Sequence, residues 1–161
     1  MSIDNLNNLA PNGFKVVINK NRLEHFTYFV QRVQHPSVEV TSTEIPHKRL
    51  TSVAFIGGKI VNSELILDVL LDEDMKAYEE ILMWFNDITE TPHKLTPYQE
   101  DESSYADIVV EIMTSHNNPN RKIKYYNALP TSLGDIEFSA ISGGEYITFP
   151  VGFRFDYFEL I

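Results

Sequence analysis

Apolar and polar side chains alternate with a period of two along most of this chain, and one segment near the middle changes to the helical period. The alternation begins at Phe14-Lys-Val-Val-Ile-Asn, and the following Asn19-Lys-Asn-Arg has the composition of a tight turn. A second strand is expected through Phe26-Thr-Tyr-Phe-Val-Gln-Arg-Val. His35-Pro-Ser interrupts it, because Pro36 has no N–H to donate to a ladder. Val38-Glu-Val-Thr-Ser-Thr-Glu then resumes the β-branched pattern, giving one broken strand or two.

The stretch from Ile45 to Asn62 contains Gly57-Gly58, a pair suited to a hairpin turn that needs positive φ. Its apolar residues Val53, Phe55, Ile56, Ile60 and Val61 are too many for an ordinary loop. Exposed on a hairpin they are a liability for a monomer, so these five, with Gly57 and Gly58, are expected to form an inter-subunit contact. The other reading is that the segment folds back onto its own core. Ser63 to Asp72 is the strongest strand, with Leu65, Leu67, Val69 and Leu71 on one face and Glu64, Ile66, Asp68 and Leu70 on the other. That mixed second face suits a sheet whose far side meets another subunit.

The helical period covers Asp74 to about Glu90, with Tyr78, Ile81, Leu82, Phe85 and Ile88 or Thr89 as its apolar stripe and Trp84 beside it. Asp72, Glu73 and Asp74 stand where carboxylates cap the first N–H groups. Thr91 to Ser104, with Pro92, Pro97 and Glu100-Asp101-Glu102, reads as a long surface loop. A strand over Tyr105 to Thr114, a turn at Asn117-Asn-Pro-Asn and a returning strand over Arg121 to Asn127 follow. The last strands are expected over Asp135 to Ala140 and Glu145 to Phe158, with a turn at Ser142-Gly-Gly between them. In the final run Ile147, Phe149, Val151, Phe153, Phe155 and Tyr157 are all apolar at odd positions, so it belongs at the centre of a core; Pro150 on its other face implies a bulge or an unpaired N–H. The pattern describes one domain over residues 1–161: mainly β, an antiparallel sandwich or barrel with one flanking α-helix.

Composition narrows the function. At 161 residues the chain can bury a sizeable core without staples. It has no cysteine, which excludes a disulfide framework, thiolate metal sites and a cysteine nucleophile, and leaves the redox compartment open. No basic and apolar leader stands at the N-terminus and no stretch has the apolar length of a membrane span, so a soluble protein made in a cytoplasm is expected. Lys and Arg number 13 against 23 Asp and Glu, a formal charge of −10. That balance repels nucleic acid and suits a channel wall that must not hold its cargo, although acidity for solubility alone reads the same way.

No reaction chemistry is legible. His25, His35, His47, His93 and His116 fall at no metal-ligand spacing, so no metal and no cofactor is expected. Neither glycine pair precedes a helix with Lys-Ser/Thr, and Ser103-Ser104 and Thr131-Ser132 lack a nucleophile-elbow context. The basic groups His47-Lys-Arg and Arg121-Lys-Ile-Lys are expected to meet acidic edges such as Glu100-Asp-Glu on a neighbouring copy. Counting alone leaves a carboxylate pair open, but an enzyme is not the expected reading.

A family resemblance enters in the C-terminal third. Tyr126-Asn-Ala-Leu-Pro-Thr-Ser-Leu-Gly-Asp-Ile-Glu-Phe, followed by Ile147-Thr-Phe-Pro-Val-Gly-Phe-Arg-Phe-Asp-Tyr-Phe, is similar to the end of tail tube proteins of contractile-tailed bacteriophages. Asn62 to Leu71 with the helix carrying Trp84-Phe85, and the early Phe26-Thr-Tyr-Phe, resemble that family's other segments. The resemblance implies a structural subunit forming hexameric rings in which strands from six copies close one inner barrel. Stacked rings would make a virion tail tube inside a contractile sheath, a conduit for DNA ejection, with sheath, baseplate and tail-terminator proteins as partners. Glu39, Glu64, Asp68, Asp107 and Glu111 are the expected lumen-facing acids, and the Ile45 to Asn62 hairpin would reach the adjacent ring. Baseplate tube initiators and the tube of the bacterial type VI secretion system share the fold and remain open as alternatives. A monomeric β-module binding a small ligand or glycan through Tyr98, Tyr105 and Tyr146 is the alternative from another class.

Overall fold

Nine strands and two helices make up this computed structural model, which describes residues 9, 12–20, 23–47, 51–90, 104–114, 116, 118–139 and 146–161, the side chains of 43–47, 51–56 and 90 excepted. In chain order they are β1 (Phe14–Ile18), α1 (Glu24–Tyr28), β2 (Val30–Gln34), β3 (Val38–His47), β4 (Thr51–Asn62), β5 (Leu65–Leu70), α2 (Lys76–Glu90), β6 (Ala106–Met113), β7 (Pro119–Leu133), β8 (Thr148–Arg154) and β9 (Tyr157–Leu160). Seven strands pair in the order β1-β6-β7-β8-β5-β2, with β9 also on β7. All pairings are antiparallel. The long β7 serves two four-stranded layers. Its first part lies between β6 and β9, and its end from Leu129 pairs with β8. Asn127, at the change of partner, has φ of 53°, and its N–H donates to Asp107 Oδ1 at 3.2 Å. β3 and β4 form a separate two-stranded sheet, here called the ribbon.

The layers enclose one core. Leu65, Leu67 and Val69 of β5 and Phe149, Val151 and Phe153 of β8 are fully buried, as the alternation predicts. The final run nevertheless breaks at Phe155-Asp156, where Asp156 N–H donates to Tyr126 O and the chain turns onto β7 as β9. Pro150 ends the pairing of β7 with β8: Gly134 N–H donates to Pro150 O at 2.7 Å, and proline has no N–H to return. Its register with β5 runs through unbroken, so the neighbouring bulge sits at Thr131 instead.

Four local expectations change. Phe26 to Phe29 is not strand: Glu24–Tyr28 is a short helix preceding β2. An extended segment would put Phe26 and Tyr28 on one face. The helical turn instead buries Phe26 fully, edge-on to Phe153, and leaves Tyr28 81% exposed. Glu80 on α2 holds the turn by accepting from Phe26 N–H at 2.9 Å and meeting His25 Nδ1 at 2.6 Å. The stripe of α2 is rotated as well. Ala77, Ile81 and Trp84 are buried, Tyr78, Phe85 and Ile88 flank them, and Leu82 faces out. Trp84 reaches the centre of this face because its Nε1–H donates to Ser104 O at 2.9 Å, satisfying its polar atom. Asp72 is the capping carboxylate, accepting from the N–H groups of Lys76 and Ala77.

Gly57-Gly58 is not a turn but part of β4. Val40 pairs with Ile60 and Ser42 with Ile56, so Gly57, Gly58 and Lys59 bulge opposite Thr41. A Cβ on Gly57 would collide with the Thr41 carbonyl oxygen, so close strand approach is what demands glycine there. Finally, Asp135 to Ser139 is not strand; Ile136 packs on the core and Phe138 is exposed. Ala140, Ser142-Gly-Gly, Asn117, His93 and the loop 91–103 lie outside the described residues.

Candidate functional site

The residues expected to make contacts between subunits lie on the ribbon. Val53, Phe55, Ile56, Gly57, Gly58, Ile60 and Val61 all belong to β4; the two glycines lie in its bulge and the other five pair with β3. At the base, Val40 faces Ile60 across the ladder, and Val38 shares their side of the ribbon. These three are 53%, 62% and 50% exposed, an apolar face that no second layer covers among the described residues. Val61 and Glu39, opposite one another, stand on the other side.

The ribbon is rooted firmly. Ser63 N–H donates to Ser37 O at 3.1 Å and Ser37 N–H to Ser63 Oγ at 2.8 Å, clasping its two ends. Beside the clasp, His35 Nδ1 lies 2.7 Å from the hydroxyl of fully buried Tyr125, and the His35 ring meets Phe158 edge-on at 4.9 Å. Burial pushes the Tyr125 phenol well above its ordinary range and lowers His35, so the neutral imidazole accepts from the phenol. This anchor was not singled out from the sequence. His35-Pro-Ser marks the strand break, but its partner lies 90 residues away.

The five candidate acids do not converge. Glu39 is on the ribbon; Glu64 and Asp68 are on the outer face of the β2-β5-β8-β7 layer; Asp107 and Glu111 are on the outer face of the β1-β6-β7-β9 layer. Four of them have cationic neighbours in their own chain. Arg32 Nε is 3.0 Å from Asp68, Lys122 Nζ 2.7 Å from Glu111 and Lys124 Nζ 2.9 Å from Asp107, while Arg154 Nε stands 3.9 Å from Glu64. Lys122 therefore holds the Glu111 carboxyl below its usual range, and the hydrogen bond to Asp107 raises Lys124. The expectation that Lys122 and Lys124 await acids on another copy is corrected: the register sets Lys122 opposite Glu111, and Lys124, opposite Val109, reaches Asp107 on the diagonal.

Tyr105 and Tyr146 are exposed at the surface, and Tyr98 lies outside the described residues. A groove of about 600 Å³ lies elsewhere, between β1, α1 and the start of β2. Among the described residues, no group of three His, Asp or Glu is placed to hold a metal ion. No described helix is long and apolar enough to cross a membrane.

Comparison with known proteins matches the architecture. The chain superposes on a chain of the anti-feeding prophage baseplate, from a 6-fold symmetrised cryo-EM structure, with a TM-score of 0.69 at 12% identity over 96% of both chains. A chain of the sheath–tube complex of the PVC extracellular contractile injection system gives 0.66 at 14% identity, covering 96% of this chain and 91% of that one. A chain of the anti-feeding prophage tube-terminating cap gives 0.68 at 15%, over 100% and 95%. At these identities the likeness establishes the fold. Comparison with curated protein sequences gave no match. The family model for phage tail tube proteins matches residues 3–160. With nearly the whole chain matched and a mainly antiparallel β fold flanked by α2, this chain belongs to the phage tail tube protein family and is a structural tail-tube component.

Proposed function

We propose that copies of this chain close into hexameric rings and that the rings stack into a hollow tube through which DNA passes without specific binding. The tube assembles in the host cytoplasm and resides in the virion, with sheath, baseplate and tail-terminator proteins as its neighbours. The observation that carries this reading is the ribbon: two strands of 10 and 12 residues in a sheet of their own, with Val38, Val40 and Ile60 exposed at its base. A two-stranded hairpin is marginal alone, and an uncovered apolar face calls for a partner. In a closed assembly of identical chains the partner is another copy, and free strand edges are removed at the same time.

The channel wall in this proposal is the outer face of the β2-β5-β8-β7 layer. Its relief is low, with Pro150, Gly152 and Ser132 between the pairs Arg32–Asp68 and Arg154–Glu64. The outer face of the other layer is raised by Lys122, Lys124, Tyr126 and Tyr157, the last two stacked at 4.5 Å. A wall whose charges are internally paired offers few free cations to phosphate, and the overall charge of −10 adds repulsion. Glu64 and Asp68 are then the lumen acids, Asp107 and Glu111 lie on the other layer, and Glu39 belongs to the contact element.

Negative-stain electron microscopy of the purified chain across a concentration series, with sedimentation of the same samples, tests the reading. Six-fold rings or hollow tubes are the expected result. A compact monomer at every concentration, alone and with sheath and baseplate proteins, would refute it.

A further inference from the structure

β1 is one end of the seven-stranded sheet. It pairs with β6 through Phe14 to Ile18, and the flanking bonds Asn19 N–H to Asp107 O and Met113 N–H to Gly13 O also run to that side. Its other edge borders the groove, whose apolar lining includes Phe14, Val17, Leu23, Tyr28 and Val30. Val17 and Tyr28 are exposed within it, and α1 holds the far wall through the Glu80 contacts to His25 and Phe26. Lys15 and Lys20 line the groove too, Lys20 with its Nζ 4.7 Å from the centre of the Trp84 ring. A strand edge beside a preformed apolar trough is the arrangement that accepts an added strand, the backbone supplying hydrogen bonds and the trough taking alternate side chains.

We infer that this groove receives the β3–β4 ribbon of a second copy, laid along β1 with its Val38-Val40-Ile60 face turned into the trough. The inference rests on the proposed assembly and names the contact that builds it. Two features of this one chain are unsatisfied in complementary ways among the described residues: the ribbon projects an apolar face and its outer edges pair with no other strand, and the groove recedes beside the unpaired edge of β1. The ribbon pairs with itself and not with β1 of its own chain. A contact joining two different surfaces of identical chains is heterologous, and repetition of it gives closed rings or continuing stacks, as a tube requires. A self-complementary pairing of β1 with β1 would stop at a dimer.

A photo-crosslinker tests this directly. Tyr28→p-benzoylphenylalanine places the probe on an exposed groove position, and mixing isotope-labelled with unlabelled copies before irradiation separates contacts between chains from those within one. The expected product joins position 28 to a peptide from residues 38–62 of another copy. Rings or tubes that form while the cross-link goes elsewhere, stays within one chain or does not form would overturn the groove and leave the assembly standing. Failure of the native chain to form rings or tubes would overturn the assembly and the groove together. A second variant, Val17→Asp, should raise the concentration for half-assembly about tenfold or more, with the thermal melt of the monomer unchanged. Unchanged assembly in that variant would also overturn the proposal.

Discussion

β5 and the base of the ribbon are written in the same alphabet of β-branched and aliphatic residues, yet one is buried on its core face and the other open to solvent. Leu65, Leu67 and Val69 are fully buried, whereas Val38, Val40 and Ile60 are half exposed or more. Both lie in antiparallel ladders, so backbone pairing is not the difference. The difference is a second layer. β5 has Phe149, Val151 and Phe153 beside it on β8, and the core is closed by Ile81 and Trp84 of α2; the ribbon has only its own two strands. A ladder without a layer satisfies hydrogen bonds but removes little apolar surface from water, so stability in the body comes from inside the chain and in the ribbon from outside it.

Perturbing each region in turn sharpens that contrast. The largest effect is expected from Phe153→Ala, which removes a fully buried ring 5.9 Å from Trp84 and 6.2 Å from Phe26. It should cost about 3–5 kcal/mol in denaturant unfolding. Ile60→Asp should stay within about 0.5 kcal/mol in the same assay while abolishing assembly in sedimentation. Equal losses of monomer stability would break the comparison. Gly57→Val comes next. Its Cβ meets the Thr41 carbonyl, so ribbon pairing should weaken by about 1–3 kcal/mol. Amide exchange should then quicken across β3 and β4 and leave β5 and β8 unchanged.

Tyr125→Phe should cost about 0.5–1.5 kcal/mol, since it removes the hydroxyl that satisfies His35 Nδ1. Exchange at Ser37 and Ser63 should rise with it if the anchor steadies the ribbon root. The smallest effect is the pH dependence of the same anchor. His35 titrates below its ordinary value of 6.5 because burial disfavours the imidazolium. As the pH falls through 6.5, the unfolded chain takes up a proton that the folded chain still refuses, so stability present at neutral pH declines towards the lowered value. His35→Gln should flatten the stability profile between about pH 7 and pH 5. A mutant profile parallel to that of the native chain would remove His35 from the account.

Several parts of the fold were legible because their cause is local. The strict alternation of Leu65-Ile-Leu-Asp-Val and of Phe149 to Phe153 marks buried strands, and the i, i+4, i+7 spacing of Ala77, Ile81 and Trp84 lies within a segment whose helical period is plain. The errors came where a distant residue decided. Phe26 and Tyr28 fit the alternating template, and it is Glu80, more than fifty residues on, that holds the helical turn. Gly57-Gly58 has the composition of a turn, and only the register against Thr41 makes it a bulge. The acids were countable, but not the cations that register would set beside them.

The sequence by itself determined a mainly β fold, its core strands, its principal helix and its family, because hydrophobic period and composition are properties of contiguous residues. Tertiary structure decided which apolar residues lack a layer, how β7 divides between two layers, where Asp68, Asp107 and Glu111 find their cations, and that the outer edge of β1 borders an apolar groove. Those are relations between residues far apart in the chain. Strand register, shifted by a single bulge, changes every one of them while leaving the local pattern intact.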